Sequence, residues 1–214
     1  IEYIRSALKM VLFDFSYESV FHYLRCGLAD FGQDEIDRLE NYVLALGVKG
    51  KRKWSQMFVR KLSLNLIISD VTDEESRQIQ LMEQLNQTRQ RLMDQIAPLL
   101  EKKKTAGEMV RMLYDFIVAG RIQEKLCGFA KYFRENNEPE KAKEYDQIYR
   151  LVMELLEQIM GLLKDEAMSL SEFADILDAG FGEIEVGIIP GSVDRVVVGD
   201  MERSRLKQVK VLFF

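Results

Sequence analysis

The sequence predicts an α+β protein that is mostly α: a helical bundle followed by a few C-terminal β-strands. Three observations carry this. Apolar residues recur at three- and four-residue spacing through most of the chain ahead of Glu183. Capping boxes of the Ser/Thr-x-x-Glu type recur at Thr72/Glu75, Thr105/Glu108 and Ser169/Glu172. The stretch from Ile188 to Phe214, IIPGSVDRVVVGDMERSRLKQVKVLFF, reads instead as three short strands with turns and one charged connector. Helices followed by strands argue for α+β or for an insertion into a sheet domain.

The elements follow in order. Ile1 to Phe13 has apolar residues at 1, 4, 8, 11 and 12 and predicts a helix. Ser16 is the N-cap expected for Tyr17 to Leu28, with Val20, Phe21, Leu24 and Leu28 on one stripe. Asp34 to Leu46 forms a third helix, stopped by Gly47. Val48 to Lys61 is a basic linker holding Trp54, and Leu62 to Val71 fits either a short strand or an irregular packed segment. Thr72 opens a long helix toward Lys104, kinked or broken at Pro98, whose polar gap Asn86 to Arg91 predicts an exposed middle. Thr105 caps the next helix, which ends at Gly120. A short helix spans Ile122 to Arg134, and Pro139 opens another that runs to Lys164. The second half of that helix is apolar nearly all round, which predicts a central, buried position in the bundle. Ser169 caps the last helix, which ends near Gly180 and Gly182.

Composition narrows the function classes. The 214 residues are 47% hydrophobic and 30% charged with three Pro, which suits a well-cored chain of one sizeable domain or two small ones. No apolar run approaches the length of a membrane span, and no basic-then-apolar leader opens the chain, so a cytoplasmic location is expected. The chain starts at Ile1 and stops inside the apolar run Val209 to Phe214, which predicts a piece of a longer protein. Cys26 and Cys127 stand far apart, and reduced thiols are expected for both. No Gly-rich phosphate loop, His-Glu-x-x-His or Cys-x-x-Cys occurs, so neither a catalytic residue nor a metal ligand is assigned. His22, the one histidine, is read as structural or surface-lying, and acidic pairs such as Asp165-Glu166 as solvated charge.

The net charge of −5 is unevenly spread. From Asn41 to Ser69 there is no acidic residue, while Lys49, Lys51, Arg52, Lys53, Arg60 and Lys61 fall in that window. From Glu135 to Glu185 fourteen Asp/Glu face four Lys/Arg, so the acidic half is expected to turn away from DNA or toward another protein. A globally acidic chain can still present a basic strip to phosphate. Lys49, Lys51, Arg52 and Lys53 are the candidate phosphate-binding residues, and Trp54 among them either stacks on an unpaired base or anchors the loop to the core. Arg203 and Arg205 in the C-terminal connector are the other DNA-binding candidates; a network with Asp194, Asp200 or Glu202 is the alternative for them.

Two motif groups carry a family resemblance. At the C-terminal end, an Ile-Pro turn leads to Asp194-x-Val196-x-Val198-Gly199, then to Gly199-Asp200-Met201-Glu202-Arg203-Ser204-Arg205-Leu206 and a second apolar strand. Near the start stand Tyr17-Glu18-x-Val20-Phe21-x-Tyr23-Leu24-Arg25-x-Gly27-Leu28 and Leu39-Glu40-Asn41-Tyr42-Val43, followed by Gly47, Gly50 and Trp54. Both groups resemble the B subunit of the bacterial AddAB/RexAB-type ATP-dependent helicase–nuclease, which processes broken DNA ends. The resemblance is specific at Phe15 to Trp54 and Ile188 to Phe214, and looser between.

The resemblance implies an internal fragment in which 1–61 open a helicase-like second motor domain, 62–182 are its helical insertion, and 183–214 return to it. It further implies that ATP, Mg and an iron–sulfur cluster belong to parts of the parent outside this chain, and that the partners are the A subunit and single-stranded or forked DNA. The helicase-type Thr-x-His-x-x-Lys-Gly loop is replaced by Arg203-Ser204-Arg205-Leu206, which suits a protein that holds DNA without driving on it. The expected function is a non-catalytic segment of a double-strand-break repair complex that guides DNA and scaffolds the assembly. The alternative is a helical protein–protein interaction module without DNA contact.

Overall fold

Nine α-helices and one 3-10 turn make up the regular structure of the described residues; this computed structural model describes the backbone of 1–60 and 71–184 and the side chains of 1–60 and 76–184. The helices are α1 (Glu2–Leu12), α2 (Tyr17–Leu24), α3 (Gln33–Leu46), α4 (Lys51–Trp54), α5 (Val71–Ile96), α6 (Ala106–Ala119), α7 (Ile122–Glu135), α8 (Pro139–Leu163) and α9 (Leu170–Gly182). The α+β class is therefore corrected to all-α. Among the described residues there is no strand, and the β-type pairing is one isolated antiparallel bridge between Thr105 and Ala167. The strands expected over Ile188 to Phe214 lie outside the described residues, as does the uncertain segment from Leu62 up to Val71, the first residue of α5.

Local chemistry explains most helix ends. The Ser16 hydroxyl accepts the Ser19 N–H, and Gly47 closes α3 at φ 57°, in the left-handed region that a glycine enters without steric cost. The Thr105/Glu108 and Ser169/Glu172 boxes form reciprocally, and each glutamate, accepting backbone N–H groups, is held below its ordinary pKa. Pro139 opens α8. Pro98 sits in the 3-10 turn Ala97–Leu100, so the long helix breaks at Ile96 rather than reaching Lys104; a proline donates no N–H to continue the ladder. Helix α2 is shorter than expected because Gly27, at φ 80°, turns the chain away.

One apolar core draws on every helix. Its most deeply buried side chains, exposed by 1% or less, include Ala7 and Met10 of α1, Tyr23 of α2, Leu39 of α3, Leu92 of α5, and Leu113 and Phe116 of α6. Tyr3 stacks on Phe116 with ring centroids 4.8 Å apart. Tyr23 donates to Gln95 Oε1 at 3.0 Å, and Gln95 Nε2 donates to the Ala29 carbonyl at 3.0 Å. The central position expected for the second half of α8 is corrected. Val152, Leu156 and Ile159 are buried on one stripe, while Leu162 is 82% exposed, because among the described residues α8 packs on its neighbours from one side.

The connector from α8 to α9 lies against the start of α6: Gly107 N–H donates to the Lys164 carbonyl at 3.0 Å, and Met168 N–H to the Lys104 carbonyl at 3.1 Å. A Cβ on Gly107 would stand 2.8 Å from that Lys164 oxygen, so the close approach requires glycine.

The buried tyrosines make stability depend on alkaline pH. Burial pushes the Tyr3 hydroxyl up to about 12, and Tyr23 is raised by burial and by Tyr3 beside it. A phenol in the unfolded chain titrates near 10, so the folded state favours the neutral form. That stability is complete below about pH 10 and is lost as pH rises toward 12. Urea midpoints measured from pH 9 upward are expected to fall beyond pH 10, with about 1–3 kcal/mol of the loss belonging to Tyr3. Tyr3→Phe is expected to flatten that limb, and an unchanged limb would refute the assignment.

Candidate nucleic-acid interface

The basic linker begins where α3 ends. Gly50, at φ 86°, swings the chain into α4, and a Cβ there would come 3.2 Å from Asp14 Oδ2. Asp14 Oδ1 accepts the Lys51 N–H at 3.0 Å, satisfying one of the free donors at the start of this short turn. The far end is held by α5. Arg89 Nη1 donates to the Trp54 carbonyl at 2.8 Å. Asn86 reads the Phe58 backbone in both directions: its Oδ1 accepts the Phe58 N–H at 2.8 Å, and its Nδ2 donates to the Phe58 carbonyl at 2.9 Å.

Between those fastenings Lys51, Arg52 and Lys53 are exposed; Lys49 is exposed just ahead of them, and Arg60 follows on the surface. Lys53 Nζ donates to the Gly47 carbonyl at 2.9 Å. Among the described residues none of these cations pairs with a carboxylate. Some cations elsewhere do find carboxylates: Arg25 grips Glu40 through two bonds, Arg91 pairs with Glu35, and Arg134 with Asp146. The strip is therefore a run of cations whose side chains form no ion pair among the described residues, with one carboxylate, Asp14, bound to its backbone at the near end.

Trp54 faces the other way. It is fully buried, its ring meeting Phe58 edge-on at 5.8 Å, while Phe58 stacks on Tyr42 at 4.7 Å. Of the two readings of this tryptophan, the geometry matches the anchor, since no ring face is open to a base. Arg203 and Arg205 lie outside the described residues. His22 is half exposed, with Nε2 3.1 Å from Glu2 Oε1, and takes no part in the strip.

The α5 side of the site is not evident from residue order. The gap Asn86 to Arg91 is expected to be exposed, and this holds for Gln87, Gln90 and Arg91 but is corrected for two residues: Thr88 is 4% and Arg89 7% exposed, Arg89 because it receives the returning linker. A signal existed. Thr88 and Arg89 stand three and four residues after Leu85 and before Leu92, so they share a face with two buried leucines.

The chain resembles known proteins over its whole length. It is 41% identical over 221 residues to a protein of Lachnoclostridium phytofermentans named as the B subunit of an ATP-dependent helicase/deoxyribonuclease, an alignment that covers all of this chain. Proteins of the same name from Acetivibrio thermocellus and Clostridium botulinum (strain Loch Maree / Type A3) are each 38% identical over 98% of it. The chain belongs to the helicase/deoxyribonuclease B-subunit family. It spans about 18% of the length of these relatives. No family model matches it.

The B-subunit resemblance implies an iron–sulfur cluster outside this chain, and the two cysteines here do not make a ligand set for one. Cys26 is half-buried with its thiol pushed up by burial, Cys127 is exposed, and both are free. Among the described residues no group of three His, Cys, Asp or Glu could hold a metal ion, and no helix is long and apolar enough to cross a membrane.

Proposed function

We propose that this chain is a non-catalytic segment that holds the DNA backbone on its basic strip and scaffolds a helicase–nuclease complex. The single observation that carries this is the row Lys49, Lys51, Arg52 and Lys53: exposed, without carboxylate partners among the described residues, and mounted on a turn fastened at both ends. Phosphates are the counter-charge such a row lacks. The buried Trp54 makes backbone contact, rather than base stacking, the mode of binding at this strip. Arg203 and Arg205 are proposed as a second set of backbone contacts. The relatives are named as subunits, and an A subunit is the proposed protein partner, in the cytoplasm.

A second reading is favoured by a different observation. An open cleft of about 530 Å³ lies between α6 and α8, lined by Val110, Tyr114, Met153, Leu156 and Met160 together with the charged Arg111, Asp115 and Glu157. A helical protein–protein interaction module without DNA contact would use such a face.

Titration with single-stranded and forked DNA at several salt concentrations separates the two. Binding is expected to fall steeply with salt. Replacing Lys51, Arg52 and Lys53 with Ala is expected to weaken it and to reduce the log–log salt slope on single strands by about 2, for three lost phosphate contacts. A paired Arg203→Ala/Arg205→Ala variant tests the second set. Absence of salt-sensitive binding at low salt would overturn the DNA reading in favour of the interaction module.

A further inference from the structure

We propose that Arg89 is a positioning residue for the basic strip: its guanidinium locks the Trp54–Phe58 segment to α5, so that Lys51, Arg52 and Lys53 are pre-ordered for an anionic backbone. This rests on the DNA reading above and goes beyond it, since Arg89 touches no DNA. Arg89 is 7% exposed, yet among the described residues its hydrogen-bond partners are neutral oxygens: the Trp54 carbonyl at 2.8 Å, Gln90 Oε1 at 2.9 Å and Asn86 Oδ1 at 3.4 Å. Its guanidinium carbon lies 5.9 Å from the centre of the Phe58 ring. A buried cation without a carboxylate is costly, and an apolar side chain of similar volume would avoid that cost. What an apolar side chain cannot do is hold the Trp54 carbonyl and the Asn86 and Gln90 side chains at once. The planar fork of an arginine can, and the single ammonium of a lysine reaches fewer acceptors in fixed directions.

The lock is the second half of a two-ended mount. Asp14 holds the Lys51 N–H at the near end, and Arg89 with Asn86 holds Trp54 and Phe58 at the far end. Six exposed residues, Lys51, Arg52, Lys53, Ser55, Gln56 and Met57, belong to the stretch from Lys51 to Phe58. A row of cations already in place binds phosphates without paying again to order the backbone that carries them.

The test uses the 214-residue chain in four forms: wild type, Arg89→Met, Arg89→Lys, and Lys51→Ala/Arg52→Ala/Lys53→Ala. The probe is a labelled oligothymidylate at low and moderate salt. Two readouts report the lock without DNA: amide exchange over 51–58, and emission of Trp54, the chain's one tryptophan. Arg89→Met and Arg89→Lys are both expected to speed exchange there about tenfold, to red-shift the emission, and to weaken DNA binding about five- to tenfold with an unchanged salt slope. The triple variant is expected to do the reverse: wild-type exchange and emission, but a smaller salt slope.

Wild-type exchange and emission in Arg89→Met would overturn the lock, whatever the DNA result. Wild-type binding in Arg89→Lys beside weakened binding in Arg89→Met would show that charge, not position, matters, and would overturn the proposal. A loosened segment with undiminished binding would overturn the positioning role. If the wild-type chain and the triple variant both ignore the oligonucleotide, the DNA reading fails and takes the link to an anionic backbone with it, while the exchange data still decide the lock.

Discussion

Trp54→Ala is expected to cost about 3–5 kcal/mol of folding stability and to release the basic strip from the core. Trp54 is fully buried and belongs to an aromatic row with Phe58 and Tyr42 that joins the linker to α3. Removing its indole leaves a cavity that only the linker could collapse into, and the linker is tied to Asn86 and Arg89 just beyond it. Urea unfolding checks the magnitude. A loss below about 1 kcal/mol would mean that the ring is not an anchor. Trp54→Phe is expected to cost far less. The Trp54 Nε1–H has no hydrogen-bond partner among the described residues, a burden of about 1–3 kcal/mol that a phenylalanine does not carry.

Phe116→Ala is expected to be similarly damaging, at about 3–5 kcal/mol, through a different part of the core. Phe116 is 1% exposed and lies face to face with Tyr3, their planes 9° apart, with Tyr23 tilted against it at 6.4 Å. It thus touches α1 and α2 from α6, and its loss empties the point where the first helices meet the later ones. The urea midpoint is expected to drop, and the near-UV circular dichroism of the tyrosine pair to weaken. Phe116→Leu is expected to recover much of the stability, because it keeps most of the buried area. A Phe116→Ala chain that kept its midpoint and its tyrosine signal would show that Tyr3 and Tyr23 are held by other contacts.

These two side chains also mark how far the residues alone could be read. The apolar spacing in α6 already placed Phe116 on the inner face with Met109, Met112, Leu113 and Ile117, and all five are buried. Short-range rules suffice there, because helix period and capping act over one to four residues. The same holds for Ser16, Gly47, Thr105, Pro139 and Ser169, each of which stands at the helix boundary expected of it. Pro98 was legible as a break for the same reason.

Trp54 was legible only as a choice between stacking on a base and anchoring a loop, and Arg89 was not legible as part of the site at all. The place of Arg89 is set by its bond to the Trp54 carbonyl, 35 positions away, and the inward turn of Trp54 by the burial of its ring in the core. Likewise, an apolar run such as Leu151 to Met160 says that a helix can be buried all round, but not whether neighbours surround it. In α8 the described neighbours cover one side.

By itself, then, the sequence determined the described helices α1–α3 and α5–α9, most of their caps, the basic strip and the kinship with helicase/deoxyribonuclease B subunits. These rest on local periodicity and on motifs that are contiguous in the chain. Tertiary structure alone decided that Trp54 points inward, that Asn86 and Arg89 reach across to hold the strip, and that α8 lies at the side of the core. Each of these depends on which distant backbone group a side chain meets, and that is set by how the helices pack rather than by the order of residues along any one of them.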